Sequence, residues 1–306
     1  MFNYLLRRIL LMIPVLLGVA TLTFFLIHFV PGDPIDIMLG DQASNVDKAA
    51  LRTELGLDQP LGVQYKKFLL GLTKFDLGKS LYSKKPVASE IGERLPATME
   101  LAFAAVFISM LIGIPLGVLA SIKQYGFLDN SVLVGGLLGM SLPGFWTGPM
   151  MILIFSIYLD IFPVSGRGGL FHVILPAVCL GLSLSAILMR MTRASMLEVN
   201  KEDYIRTAIS KGVPKSQVLF KHALRNALIP IITIVGLQFG ALLTGTVITE
   251  TIFDWPGIGS LFYEGIQQRN YPVVQGCVLF ISFTYVTVNL LTDLAYAIAN
   301  PRVRLS

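Results

Sequence analysis

The feature that most constrains this chain is a series of apolar runs far longer than a soluble fold of 306 residues needs. At about 1.5 Å of rise per helical residue, roughly 20 apolar residues cross the hydrocarbon core of a bilayer. Six segments meet this length: Ile9–Val30, Met99–Ile122, Val132–Tyr158, Phe171–Met189, Ala227–Thr249 and Val274–Ala299. The sequence therefore predicts an all-α, polytopic membrane protein with six transmembrane helices.

The composition agrees with lipid as the solvent. Hydrophobic residues make up 54% of the chain and charged residues 14%, and the mean hydropathy is +0.70. A formal net charge of +5 suggests nucleic acid at first sight, but the cations adjoin apolar spans at the chain ends and in one central loop. We expect membrane lipid as a partner and no nucleic acid.

A polar, basic segment of helical pattern separates the fourth and fifth runs. Between positions 189 and 230 the chain has eight lysines and arginines against three carboxylates. Such an excess of cations is typical of loops on the cytoplasmic side of a membrane. The segment is therefore predicted to be a structured element exposed to the cytoplasm.

The other basic residues predict the orientation of the spans. With an even number of crossings, the other basic residues next to apolar spans lie on the same side of the membrane as the central segment. They are Arg7, Arg8, Lys123, Arg302 and Arg304. Both termini are then predicted to be cytoplasmic.

This orientation divides the chain into three predicted regions. Residues 1–30 hold the N-terminal tail and the first span, and residues 31–98 form an extracytoplasmic helical insert. Residues 99–306 form the core with the other five spans. The core contains the central loop, 190–230, and a smaller outer element, 250–272.

Within the central loop, helical spacing predicts a short amphipathic helix. Its apolar side chains are expected on one face: Tyr204, Ile205, Ala208 and Ile209. Its polar side chains are expected on the other: Asp203, Arg206, Thr207 and Lys211.

Two residues predict a sharp corner after this helix. Gly212 fits a helix C-terminus and Pro214 fits the first turn of the next helix. The residues fit two interpretations equally well. The helix is either a rigid element that a partner pushes, or an amphipathic helix that rests on anionic lipid headgroups.

The outer element opens with Asp254, Trp255, Pro256 and Gly257. We consider two interpretations of this segment. Trp255 fits an aromatic anchor at the level of the lipid headgroups, and the segment as a whole fits a gate over the outer mouth of a pathway.

Polar residues inside the last span form another candidate site. Asp293 and Asn289, one turn apart, are candidates to line a pathway, because burying such groups in a bilayer is costly. An interhelical hydrogen bond is the alternative. Glycines at helix-contact spacing, Gly113 with Gly117, Gly144 with Gly148 and Gly236 with Gly240, predict close packing of helices.

Catalytic and metal chemistry find no support in the sequence. Cys179 and Cys277 lie in apolar runs without C-x-x-C spacing, the three histidines are scattered, and no metal site is predicted. The phosphate-binding pattern G-x-x-x-x-G-K-[ST] is missing, so the chain is not expected to hydrolyse nucleotides itself. An intramembrane hydrolase is disfavoured because no histidine or lysine is placed to activate a serine in a span.

Several motifs together resemble one known family. The stretch from Asp203 to Ala208, then Lys211-Gly212, and the stretch from His222 to Pro230 are similar to the coupling loop of permease subunits in ABC importers of dipeptides and oligopeptides. Further motifs resemble the same family along almost the whole chain: Pro31-Gly32-Asp33-Pro34, the segment from Glu54 to Leu61, Asp76-Leu77-Gly78, the segments from Thr249 to Gly257 and from Arg269 to Gly276, and the closing Asn300-Pro301-Arg302-Val303-Arg304.

The resemblance implies a type I ABC importer permease fold and a transmembrane permease subunit in a bacterial inner or plasma membrane. It implies a second, distinct permease subunit, two ABC ATPase subunits and an extracytoplasmic substrate-binding protein as partners. This chain would bind no cofactor, while ATP and Mg are used by the ATPases. The residues implied to couple to the ATPase are Asp203, Tyr204, Arg206, Thr207, Ala208, Lys211, Gly212 and Pro214.

The substrate stays open between two classes. Short peptides are favoured because the chain offers no cluster of metal ligands, but nickel importers share this permease pattern. A secondary transporter driven by ions is a further alternative, disfavoured because no inverted repeat is evident.

Overall fold

The computed structural model describes residues 2–29, 35, 39, 44–54 and 56–299. Across these residues every regular element is a helix, and an isolated bridge joins Lys79 to Pro86. The predicted all-α class is therefore confirmed. The helices are α1 (Phe2–Phe29), α2 (Asn45–Glu54), α3 (Leu61–Leu72), α4 (Val87–Ile122), α5 (Phe127–Ser141), α6 (Gly144–Met151), α7 (Leu170–Val199), α8 (Asp203–Ser210), α9 (Lys215–Gln217), α10 (Leu224–Gly245), α11 (Val247–Ile252), α12 (Ile258–Gln267) and α13 (Tyr271–Ala299).

Two stretches of wider, π-helical winding extend this set. Ile152–Tyr158 continues α6, and Val218–Ala223 joins α9 to α10. The chain divides into two compact units, Met1–Thr98 with Pro256–Thr284 and Met99–Trp255 with Tyr285–Ser306. The predicted division into tail, insert and core stays a prediction.

Four helices of the described chain are long and apolar enough to cross a membrane. They are Val87–Ile122, Leu170–Val199, Lys215–Leu243 and Tyr271–Thr292, and a bent pair counts as a fifth if it forms one span. In α1 the part whose side chains the structure describes, Leu10–Phe25, is apolar. The polytopic architecture is thus confirmed, whereas the number of six spans stays a prediction.

The predicted third span, Val132–Tyr158, is broken within the bent pair, and its role as one span stays a prediction. The helices Phe127–Gly139 and Gly144–Tyr158 are bent by 94° relative to each other. Proline disfavours helical geometry in the residue before it, and Leu142, which precedes Pro143, is extended with φ −83° and ψ 117°. Pro143 then stands at the N-terminus of α6, so the break has a local cause.

The central loop begins inside a helix, in agreement with its helical pattern. Helix α7 does not end near Met189 but continues to Val199, so the first ten positions of the 190–230 segment belong to a helix that includes the fourth span. The stretch after Met189 contains no proline or glycine that would stop a helix. Its polar side chains instead mark where the helix leaves the apolar region.

Small residues allow the helices of the second unit to pack closely. A Cβ on Gly113 would lie 2.9 Å from the carbonyl oxygen of Ser185, and one on Gly117 would lie 2.6 Å from that of Met189. Gly236 would meet Thr292 at 2.6 Å. These glycines therefore pack α4 on α7 and α10 on α13 as predicted, whereas nothing lies within 4 Å of a Cβ on Gly144.

An exposed apolar stripe on α4 is consistent with a lipid environment. Phe103, Phe107 and Leu111 recur at every fourth position and are each about 60% exposed, while Ala102 and Ala105 on the opposite side are buried. A helix that buries small residues and exposes large apolar ones is typical of a bundle surrounded by lipid.

The first unit is organised around its own apolar core. Val87 and Ile91 of α4 pack with residues of α12 and α13: Ile258, Leu261, Val273 and Cys277. The buried Asn270 side chain accepts from the N–H of Leu81 at 3.1 Å and donates to the Ser80 hydroxyl at 2.8 Å. The connection between α3 and α4 is thereby fixed to the start of α13.

We expect Gly117→Ala to destabilise the protein, because its methyl group would meet the backbone of α7. Overpacking of this kind costs about 1–3 kcal/mol, which exceeds the gain of about 1 kcal/mol from replacing glycine in a helix. Gly18→Ala in α1 is the matched control, since no atom lies within 4 Å of its Cβ position. Thermal unfolding in detergent should show a lower midpoint for the first variant only; equal midpoints would contradict the close contact.

Candidate functional site

The candidate site is an elbow, residues 203–214, made of α8 and the connection to α9. Helix α8 follows Glu202, which is extended at φ −68° and ψ 144°, and runs from Asp203 to Ser210. Thr207 donates its hydroxyl to the carbonyl of Asp203 at 2.9 Å. A helix of eight residues is marginal on its own, so its order depends on what it packs against.

Ile205 is the most buried side chain of the elbow and packs it on the helices around it, with Ala208 and Val213 beside it. Ile205 is only 2% exposed and packs in an apolar cluster whose other buried members are Val118 of α4, Met196 of α7, and Val218, Ala223 and Ala227. These residues come from two long helices and from the start of the fifth span, so the cluster joins the elbow to three parts of the fold.

The end of α8 has the geometry of a Schellman motif. The N–H of Gly212 donates to the carbonyl of Ile209 at 2.9 Å, and the N–H of Val213 donates to that of Ala208 at 3.2 Å. Gly212 has φ +78°, a conformation that glycine adopts without steric cost. The predicted helix terminus at this glycine is observed.

The corner is completed by Pro214. It has φ −54° and ψ 140° and directly precedes Lys215, the first residue of α9. It therefore stands one position earlier than the predicted first helical turn. Its carbonyl accepts from the N–H of Val218 at 3.0 Å, which ties the corner to the next helix.

The buried face of α8 is narrower than predicted. Of the predicted apolar stripe, Ile205 is buried and Ala208 half-buried, but Tyr204 is 41% and Ile209 58% exposed. The two exposed side chains flank the anchored one on either side. Since the centre of the stripe packs on the protein itself, it is not free to enter lipid, and a headgroup-bound helix is disfavoured.

The polar face of α8 is open to solvent. Asp203 is almost fully and Arg206 largely exposed, with their charged atoms 3.9 Å apart, and Thr207 and Lys211 are exposed too. An ion pair this exposed contributes little to stability. The hydroxyl of Tyr204 accepts a hydrogen bond from Nδ2 of Asn226 at 2.9 Å, which orients the ring.

The segment predicted as the outer gate, residues 254–257, contains a buried tryptophan. The ring of Trp255 is fully buried, and its backbone N–H donates to the carbonyl of Glu250 at 2.8 Å. The guanidinium of Arg167 lies 6.0 Å from the centre of the indole ring. A buried ring does not reach headgroups, so the interpretation of Trp255 as an interfacial anchor was wrong.

The neighbours of Trp255 differ in exposure. Asp254 is exposed and has φ +49°, Pro256 is half-buried, and Gly257 is buried and precedes α12. The role of these four residues as a gate stays a prediction.

The candidates in the last span are only partly described. Oδ1 of Asn289 is buried and has no hydrogen-bond partner among the described residues. The side chain of Asp293 lies outside the described residues. Within the described ranges no group of three or more His, Cys, Asp or Glu side chains is arranged to hold a metal ion.

The helical fold and the anchored elbow define a class of membrane protein. The chain belongs to the family of binding-protein-dependent transport system inner membrane components, whose model matches residues 113–305. A companion model for the N-terminal part of such membrane components matches residues 1–102. The predicted family and its membrane-spanning character are thus confirmed.

Three full-length relatives make the resemblance closer. The chain is 42% identical to the dipeptide transport system permease protein DppB of Escherichia coli K12, with 99% of both chains covered. It is 41% identical to the di/tripeptide transport system permease protein DppB of Pseudomonas aeruginosa and 40% identical to the glutathione transport system permease protein GsiC of Pectobacterium atrosepticum, each with 99% coverage of both chains. These relatives are permease subunits rather than catalytic enzymes, which confirms that prediction.

Solved structures agree in fold. An inward-facing structure of the MetNI methionine ABC transporter aligns with a TM-score of 0.59 at 18% identity, over 69% of this chain and 96% of that chain. An amino acid ABC transporter gives 0.52 at 15% identity, over 71% and 95%. The predicted ABC importer permease fold is therefore confirmed.

We expect Ile205→Ala to loosen the elbow and Ile209→Ala to leave its stability unchanged. The two isoleucines lie on the same short helix, but only Ile205 is buried, and truncating a buried isoleucine costs about 2–5 kcal/mol. Limited proteolysis of the purified protein should cleave the 200–215 region faster in the first variant only. Equal cleavage of both variants would show that Ile205 does not anchor the helix.

Proposed function

We propose that this chain is one of the two permease subunits of an ABC importer for short peptides. The full-length relatives carry dipeptides, di- and tripeptides and glutathione according to their names, and glutathione is itself a tripeptide. The single structural observation that supports the proposal best is the elbow, which is anchored on one side and exposed on the other. Such a part suits a motor that lies outside the chain.

The proposed partners follow from the separation between this membrane subunit and a motor outside it. A second, distinct permease subunit completes the pathway, two ABC ATPase subunits bind the elbows, and an extracytoplasmic binding protein delivers the peptide. ATP and Mg are bound by the ATPases, and this chain holds no cofactor of its own.

The exposed residues of the elbow form the proposed docking surface for the ATPase. Tyr204 and Ile209 offer apolar area, while Asp203, Arg206, Thr207 and Lys211 surround it with polar groups. Apolar side chains bordered by polar ones are common at protein interfaces. Gly212 and Pro214 fix the shape of the corner, and Ala208 backs it from inside.

The elbow then acts as a lever. Closure of the ATPase dimer on ATP displaces α8, and because the apolar cluster around Ile205 includes residues of α4, α7 and the start of the fifth span, these helices move with it. Switching between two packed arrangements by rigid movement is a common form of conformational coupling. The pathway would alternate between inward-open and outward-open states.

The proposed location is a bacterial inner or plasma membrane with both termini in the cytoplasm. The excess of lysine and arginine around the elbow supports this orientation. Asn289 and Asp293 are proposed to line the pathway, supported by the buried, unpartnered amide oxygen of Asn289 among the described residues. Residues 254–257 are proposed as the outer gate.

The orientation can be tested with a single cysteine at Ser210, which is exposed. An impermeant thiol reagent should label Ser210→Cys in inverted vesicles but not in intact cells, and Lys66→Cys in the insert should show the opposite pattern. Both native cysteines are buried, which keeps background labelling low. Labelling of Ser210→Cys in intact cells would overturn the orientation.

The function can be tested with the complete complex in liposomes together with its binding protein. We expect uptake of a labelled dipeptide that requires ATP, persists when ionophores collapse ion gradients, and is not inhibited by excess nickel ions. Uptake without ATP that follows an ion gradient would favour a secondary transporter. Uptake of labelled nickel that peptides do not inhibit would favour the metal importer.

We expect Gly212→Glu to uncouple ATP hydrolysis from uptake. A residue other than glycine at φ +78° costs roughly 1–2 kcal/mol of backbone strain. The added carboxylate also lies on the proposed docking surface. No neighbouring atom lies within 4 Å of a Cβ there, so the variant is expected to insert normally. Gly212→Asn, which tolerates this backbone conformation, should retain most uptake; normal uptake by Gly212→Glu would show that the corner is not the lever.

A further inference from the structure

In the second unit, at the end where the elbow lies, a buried ion pair joins α5 and α7. Nε of Arg193 on α7 lies 2.5 Å from Oδ1 of Asp129 on α5, and Nη2 lies 2.6 Å from Oδ2. The side chain of Asp129 is 0% exposed and that of Arg193 17%. Two parallel bonds between a guanidinium and a carboxylate fix both distance and orientation.

The carboxylate also holds the turn that precedes α5. Oδ2 of Asp129 accepts from the N–H of Tyr125 at 2.8 Å, and Tyr125 has φ +62°, a conformation that is uncommon for a bulky residue. Asp129 lies in the first turn of α5, where the helix macrodipole favours a negative charge. The turn, α5 and α7 therefore meet at this one carboxylate.

The pair lies next to the anchor of the elbow along α7. Met196 is three residues beyond Arg193, about one helical turn, and belongs to the apolar cluster that buries Ile205. Helix α5 contributes no residue to that cluster. The described contacts thus attach the elbow directly to α7, while α5 is joined to this end of α7 through Arg193.

Further along, α4, α5, α6 and α7 line a cavity of about 390 Å³, with residues that include Ile112, Ser131, Gly135 and Ser183. Helices α5 and α7 still touch beside it, since a Cβ on Gly136 would meet the methyl group of Met189. The ion pair adds a contact of fixed orientation at the end of α5 where the elbow lies.

We propose that Asp129 and Arg193 are positioning residues that make α5 move together with α7 when the elbow is displaced. The proposal rests on the proposed function of the elbow as a lever. In every state of the cycle the pair stays closed, so that movement of α7 carries the first half of the bent α5–α6 pair. Without the pair, ATP hydrolysis continues but α5 lags behind.

The first experiment separates this role from a purely structural one. In reconstituted complexes, Asp129→Asn and Arg193→Lys should lower uptake per ATP hydrolysed by about fivefold to tenfold, the range of a typical coupling free energy. Arg193→Lys keeps the charge beside Asp129 but loses the two-point contact, so it tests the geometry if Asp129→Asn accumulates poorly. Lys85→Gln, which removes an exposed ion pair with Glu93, is the control and should leave the ratio unchanged.

The second experiment replaces the ion pair by a tether. In a Cys179→Ala, Cys277→Ala background, Asp129→Cys with Arg193→Cys should be uncoupled until a short bifunctional thiol reagent joins the two positions, and the tether should restore uptake per ATP at least about fivefold. Arrest of transport by the tether would overturn the proposal, because it would show that the pair must open. Normal coupling in both Asp129→Asn and Arg193→Lys would overturn it as well.

The two proposals fail in different ways. If the unmodified complex shows no ATP-dependent uptake of the dipeptide, the proposed function fails. If that uptake is present and the variants retain the unmodified ratio of uptake to hydrolysis, only the role of the ion pair fails.

Discussion

The burial of Ile205 is the interaction on which the rest of the elbow depends. A helix of eight residues gains too little from its own hydrogen bonds to be stable alone, yet α8 presents its polar and flanking apolar side chains in one defined arrangement. It does so because one isoleucine packs among residues of α4, α7 and the start of the fifth span. The same contact that orders the helix also attaches it to the helices that move in the proposed lever, so stability and the proposed coupling would have a common origin.

The local features of the elbow were predictable from the sequence because they depend on neighbours in the chain. Gly212 indicated a helix end, and the structure gives it a positive φ and a Schellman pair of hydrogen bonds. The apolar runs predicted membrane helices for the same reason, since length and composition suffice. Gly113 and Gly117 predicted close packing, although their partners on α7 could not be named in advance.

Features that depend on distant parts of the chain were missed or misread. The ring of Trp255 was compatible with lipid headgroups as long as its surroundings were unknown, and only the fold shows that it is buried. The pair of Asp129 with Arg193 joins residues 64 positions apart, and no periodicity relates them. The bend at Pro143 is an intermediate case, because the proline was visible but neighbouring helices in a membrane often accommodate one.

The bend and the ion pair have a common explanation if the α5–α6 pair moves in the proposed transport cycle. A straight helix packed along its whole length on α7 would follow α7 without any special contact. Helix α5 instead turns by 94° into α6 and borders a cavity on its way, although Gly136 packs it against Met189 of α7. A charged contact costs desolvation when it is buried, and an apolar pair would hold two helices equally well in a fixed bundle. A two-point ion pair adds a defined orientation, and in the proposed lever this would keep the bent helix from rotating about its own axis as it follows α7.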